Sequence, residues 1–119
     1  MIQLFGIKNC NTVQKAIAWL DQNNVNFTFI DVKKNLTDEH LRNWFKSLPE
    51  NITPGMFVNQ KGLTWRKLDE DEKSNINSKE GIISLIINKP SVMKRPVVTK
   101  NNQVMTLGFN EENFKEEIV

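Results

Sequence analysis

The first 32 residues constrain the fold more than any other part of the chain, because they read as strand, helix, strand. Residues 1–7 place Ile2 and Leu4 in alternation, with Phe5 and Ile7 nearby, which suits a short buried strand ending at Gly6 and the polar Lys8-Asn9. Val13, Ala16, Ile17 and Leu20 then recur at helical spacing, with Trp19 beside them, which predicts a helix over roughly Thr12–Asn23. Asn23-Asn24 stops it, since asparagine tolerates the left-handed conformation at a helix end. Val25 to Val32 is rich in β-branched and aromatic residues and reads as a second strand. A strand–helix–strand unit of this size implies two parallel strands joined by a right-handed crossover.

The middle of the chain reads as helical. Thr37 is a helix cap followed by Asp38 and Glu39, with Leu41, Trp44, Phe45 and Leu48 on the apolar face and Pro49 beyond its end. Residues 50–66 read as one or two short helical turns and a loop around Asn59–Gly62, and Asp69 to Asn75 is polar. Ser78 caps a further helix carrying Ile82, Ile83, Leu85 and Ile86, which ends before Pro90. Arg95–Thr99 and Val104–Leu107 are two short strands around Lys100-Asn101-Asn102, the best hairpin signal in the chain. Asn110, with Glu111 and Glu112, starts a last helix bearing Phe114 and Ile118. The expected architecture is an α/β single domain over 1–119: a mixed four-stranded sheet, with a helical insertion between a β-α-β half and a β-β-α half.

Composition narrows the function. Sixteen basic and fourteen acidic residues give a formal charge of +2, without the excess or stripe expected of a nucleic-acid binder. The single cysteine excludes an intrachain disulfide framework and a multi-cysteine zinc site. The N-terminus has no basic n-region or cleavage pattern, and the longest apolar stretch, Ile82 to Ile87, is too short to span a bilayer. The expectation is a cytoplasmic protein in a reducing compartment.

Cys10 follows the first strand and precedes the first helix. Unpaired backbone N–H groups and the helix dipole at that place favour a thiolate, and Lys8 and Lys15 are near in sequence. The alternative is a small buried hydrophobe, as free cysteines commonly are; the turn placement favours the thiolate. Arg66 and Arg95, far from Cys10 in sequence, read from composition as ordinary solvated side chains, and Pro96 begins a strand where its missing N–H costs least. His40, on a polar helix face between Glu39 and Arg42, reads as a surface residue. Trp19, Trp44, Phe27, Phe29, Phe45 and Phe114 read as core, and the acidic run Asp69–Glu72 as a solvated face. With one histidine there is no Ser-His-Asp set, and there is no Gly-rich phosphate loop.

The run Gly6-Ile7-Lys8-Asn9-Cys10-Asn11-Thr12-Val13-Gln14-Lys15-Ala16, then Trp19-Leu20, Thr64-Trp65-Arg66-Lys67-Leu68, Lys94-Arg95-Pro96 and Leu107-Gly108-Phe109 closely resembles the arsenate reductase-like (ArsC/Spx) family, in particular its YffB-type subgroup. The resemblance runs in order from about residue 2 to residue 115. It implies a thioredoxin-like fold with a helical insertion and a cis peptide bond before Pro96. In arsenate-reducing relatives the cysteine at Cys10 attacks the oxyanion, arginines at Arg66 and Arg95 hold it, and glutathione resolves the product. Two departures stand out. Those relatives carry a further arginine where this chain reads Thr106-Leu107-Gly108, and the Cys-x-x-Cys switch of Spx regulators has Val13 at its second position.

The expected function is accordingly a glutathione-dependent thiol reductase acting through Cys10. Arg66, Arg95, Lys8 and Lys15 would meet the carboxylates of glutathione, Thr12 would help hold the sulfur, and Pro96 would bring its loop alongside. Glutathione enters as cosubstrate, with no permanently bound cofactor and no metal. The expected partners are glutathione and a small thiol or oxyanion substrate, with no direct nucleic acid, no membrane and a monomeric chain. The alternatives are an Spx-like regulator that binds RNA polymerase, and a true arsenate reductase.

Overall fold

The computed structural model describes residues 1–119. Strands β1 (Ile2–Gly6), β2 (Thr28–Asp31), β3 (Val97–Lys100) and β4 (Gln103–Leu107) form one sheet in the order β2-β1-β3-β4. The β1/β2 pair is parallel and the β1/β3 and β3/β4 pairs are antiparallel, so the sheet is mixed. Helix α1 (Asn11–Gln22) crosses from β1 to β2, and α7 (Glu111–Glu117) follows β4. Between β2 and β3 lie α2 (Val32–Asn35), α3 (Asp38–Lys46), α4 (Leu63–Arg66), α5 (Glu70–Lys73) and α6 (Lys79–Asn88), with 3-10 turns at Pro54–Phe57, Ser74–Asn77 and Pro90–Val92. This is the thioredoxin-like arrangement with a helical insertion. No helix is long and apolar enough to cross a membrane.

Alternation along β1 decides which helices cover which face. Leu4 points to one side, where Val13, Ala16, Trp19 and Leu20 of α1, Val98 of β3 and Phe114 of α7 close a core. Phe5 points to the other side, where Leu41, Trp44 and Phe45 of α3 and Ile82, Ile83, Leu85 and Ile86 of α6 form a larger one with Val97. The register keeps the sets apart, since Leu4 pairs with Val98 and Phe5 with Val97. With both faces covered, the insertion supplies the second layer of the sandwich.

The ends of the elements follow local chemistry. Helix α1 stops in a Schellman arrangement: Asn24 takes a φ of 58°, its N–H reaches the Asp21 carbonyl and the Val25 N–H reaches the Leu20 carbonyl. Ser78 and Asn110 cap α6 and α7 by accepting from the N–H groups of Gly81 and Asn113. Asn101 and Asn102, at φ 53° and 67°, make the two-residue turn between β3 and β4, and asparagine is among the few residues at ease there.

Two expectations about strand bounds change. The second strand is shorter than Val25–Val32, because Asp31 accepts from the Lys33 N–H and turns Val32–Asn35 into one helical turn. Strand β3 begins at Val97, leaving Arg95 and Pro96 in the loop before it. The acidic run is solvated as expected and also forms a helical turn, with Asp69 capping α5 through the Glu72 N–H.

His40 is not a solvated surface residue. Its ring is half-buried, edge-on to Phe5 at 5.1 Å and stacked on Trp44 at 6.1 Å. Its Nδ1 accepts from the Thr37 N–H at 3.1 Å while the Thr37 hydroxyl accepts from the His40 N–H, a capping box in which histidine takes the usual place of glutamate. Burial lowers the pKa of His40 below the ordinary histidine value, partly opposed by the charge of Glu39.

Two predictions follow from this packing. The unfolded chain accepts the His40 proton more readily than the folded one, so stability is full above about pH 6.5 and falls as the pH drops through that value. The urea midpoint should fall between pH 7.5 and 5.5, and His40→Gln, which keeps a capping acceptor, should flatten that slope. A Cβ on Gly81 would come within 2.0 Å of the Asn75 carbonyl oxygen, where α6 meets the 3-10 turn. Gly81→Ala should therefore lower unfolding stability by about 1–3 kcal/mol in urea titration.

Candidate functional site

Cys10 is the residue from which α1 starts. Its backbone is extended, with φ −101° and ψ 124°; its N–H donates to the Ile7 carbonyl and its own carbonyl accepts from the Gln14 N–H. The Gln14 amide reaches back to the Lys8 carbonyl at 2.9 Å and ties down the turn between β1 and α1. The close seat of α1 depends on Gly6, where a Cβ would come 2.8 Å from a methyl of Val13. Strand, turn and helix thus hold the sulfur at the sheet end of α1, half-buried beside the core.

A neutral thiol is a weak acceptor, and Cys10 makes no side-chain cap bond to the helix. The anion is another matter. Burial raises the thiol pKa, but the Val13 N–H, the donors and charge of the Arg95 guanidinium and the Thr12 N–H outweigh it together, and the net shift is downward. The guanidinium is held in place from its own loop: Nη1 donates to the carbonyls of Ser91 at 2.9 Å and Met93 at 3.1 Å, and Nε is buried without a partner. The Arg95–Pro96 bond is cis, as the resemblance implied, and Pro96 is buried behind the site.

The sulfur opens into a cleft of about 460 Å³. Thr12 and Arg95 line it with Cys10, and so do Lys94, Asn59 and the Gly108-Phe109-Asn110 segment. Of the residues named from sequence, the structure therefore gathers Cys10, Thr12 and Arg95 around the cleft, with Pro96 adjoining. Lys8, Lys15 and Arg66 are exposed and do not line it. The Lys8 ammonium lies 6.0 Å above the Phe29 ring, Lys15 lies on the outer face of α1, and Arg66 ends the short α4.

Lys94 and Asn59 were not singled out by sequence. Lys94 had one available signal, its place beside Arg95; Asn59 had none, because it arrives from the insertion through pairing of its N–H with the Val92 carbonyl. Gly108 lies in the stretch where the resemblance would have placed a further arginine. It takes φ +82°, a conformation side chains disfavour, and a Cβ would meet Lys94 Cε at 3.0 Å. The lysine stem crosses that place and brings a flexible point charge, without the planar fork of a guanidinium.

Removing the Arg95 charge tests this account of the sulfur. In Arg95→Met the midpoint of iodoacetamide alkylation of Cys10 should move to higher pH, and the alkylation rate at neutral pH should fall severalfold; an unchanged profile would refute it.

Comparison with known proteins agrees with the fold. The ArsC family model matches residues 5–117. An uncharacterized protein of Haemophilus influenzae is 31% identical over 115 residues, covering 97% of this chain and 96% of that protein. The global transcriptional regulator Spx of Streptococcus pyogenes is 31% identical over 117 residues, covering 97% and 83%. Among solved structures, a YFFB protein superposes with a TM-score of 0.87 at 32% identity over the full length of both chains. An arsenate reductase-related protein of Brucella melitensis superposes at 0.72 with 34% identity, covering 97% of this chain and 92% of that one. A family model matched over residues 5–117, with relatives above 30% identical along almost the whole length, has one reading: the chain belongs to the ArsC family.

Proposed function

We propose that this protein is a glutathione-dependent thiol–disulfide reductase working through Cys10 alone. The observation that carries the reading is the sulfur itself, half-buried at the start of a twelve-residue helix, favoured as an anion by Arg95 and by two backbone amides, and open to a cleft. A thiolate so placed attacks a disulfide sulfur, and the chain has no second cysteine to release the resulting mixed disulfide. An external thiol must do so. Glutathione suits the cleft because its two carboxylates can meet Arg95 and Lys94, while the side-chain amides of Asn59 and Asn110 can meet its peptide groups.

Thr12 holds the sulfur end through its N–H, and Arg95 holds the charge that develops on a leaving thiolate. Arsenate fits less well. A tetrahedral oxyanion calls for several rigid cationic forks, and only Arg95 of the two arginines named from sequence lines the cleft.

The likeness to Spx supports a second reading, in which the fold serves as a transcription regulator that contacts RNA polymerase. Val13 in place of a second cysteine removes the dithiol switch from that reading.

The experiments separate these readings. With glutathione and bis(2-hydroxyethyl) disulfide, the purified chain should turn over, Cys10→Ser should abolish turnover, and mass spectrometry should find one glutathionyl adduct on Cys10. Arsenate should drive glutathione oxidation far more slowly than the disulfide does. Absence of turnover, together with retention of RNA polymerase by both the wild-type chain and Cys10→Ser, would favour the regulator.

A further inference from the structure

The cleft at Cys10 continues into a larger groove of about 650 Å³, and Asn59, Lys94, Leu107 and Asn113 line both. Met105, Thr106 and Leu107 of β4 form its floor, and β4 is an outer strand of the sheet. The segment from Pro49 to Lys61 makes one wall; Asn113 and Glu117 of α7 make the other.

Two properties of the groove point to one kind of occupant. An outer strand presents main-chain N–H and C=O groups that no neighbouring strand pairs. The walls carry the carboxamides of Asn51 and Gln60, and Lys61 and Lys94 outnumber the single carboxylate of Glu117.

We propose that this groove seats an extended polypeptide segment bearing acidic side chains, and that the disulfide reduced at Cys10 belongs to a cysteine within such a segment. The proposal rests on the thiol–disulfide reading above and names its substrate class. Main-chain pairing along β4 and carboxamide contacts recognise peptide groups whatever their side chains, and Lys61 selects for acidic neighbours, Lys94 being taken by the glutathione. A small disulfide would occupy the Cys10 end and leave the β4 edge bare.

The step is a pair of exchanges. The substrate is a peptide cysteine in mixed disulfide with glutathione. Cys10 thiolate attacks the glutathione sulfur, forming a Cys10–glutathione disulfide while the peptide sulfur leaves as thiolate and takes a proton from water. The thiolate of a second glutathione then attacks the same glutathione sulfur and frees Cys10. Peptide sulfur is reduced, and two glutathiones leave as their disulfide.

The test compares two substrates with glutathione as reductant: an acidic ten-residue peptide with one central cysteine glutathionylated, and the mixed disulfide of free cysteine with glutathione. The peptide should show a kcat/KM about tenfold higher, and Lys61→Glu should remove most of that advantage while leaving the small substrate unchanged. A serine version of the peptide should slow amide hydrogen exchange at residues 105–107. Equal rates on the two substrates, with no change in exchange, would overturn the peptide groove. No turnover of either substrate, with protection of β4 intact, would instead overturn the reductase reading and with it the substrate, and leave the groove as a peptide seat.

Discussion

Everything at the candidate site depends on how closely α1 lies against the end of β1. Gly6 has no side chain, and a methyl of Val13 occupies the space where one would be. Leu4, Val13, Ala16 and Leu20 are fully buried in the same core, so the helix cannot slide or lift without opening it. The consequence is positional. The turn between β1 and α1 has few residues to spare, and Cys10 must stand where the helix begins, with the free N–H groups of the first turn behind its sulfur.

The sulfur then sits between two opposing effects. Half-burial disfavours a charge, while Arg95 and the amides of Val13 and Thr12 favour it, and the second set prevails. Arg95 is effective because it is not free to wander. Two carbonyls of its own loop, those of Ser91 and Met93, hold one end of the guanidinium, which limits the entropy lost when the other end faces an anion. Lys94 is a different kind of charge, exposed and flexible, lying across Gly108, whose φ of +82° disfavours a side chain there. One cation is fixed and one is adaptable, which is what the proposed reductase would use to meet a sulfur at one end and carboxylates at the other.

The insertion between the sheet halves does more than cover Phe5 and Val97. Its Asn59 is brought to the cleft because the strand-like run around Val58 pairs with the segment just before Arg95, through the Asn59 N–H to Val92 and the Lys94 N–H to the Phe57 carbonyl. The same two bonds steady the loop from which Arg95 and Lys94 project. The surface pairing of Arg42 with Glu80, at 2.6 and 2.9 Å, links α3 to α6 on the far side, where solvent weakens its contribution.

Sequence alone determined the order of strands and helices, the caps at Thr37, Ser78 and Asn110, the asparagine turn of the hairpin, and the place of Cys10 before α1. Each of these is set by neighbours within a few residues, through side-chain spacing or a single local hydrogen bond. It misplaced His40, because a polar helix face does not disclose that Phe5 of the distant β1 lies across it; Trp44, four residues on in the same helix, was the one local hint. It offered Lys8, Lys15 and Arg66 as partners of the sulfur, because nearness along the chain or a family likeness says nothing about where a long cationic side chain reaches. The resemblance had already named Arg95, but only the tertiary structure separated it from Arg66 and brought Lys94 and Asn59 to the cleft. The pairing of residues 57–59 with 92–94, and the packing of both against the sheet, are interactions between distant segments, and those alone decide which charges converge on the sulfur.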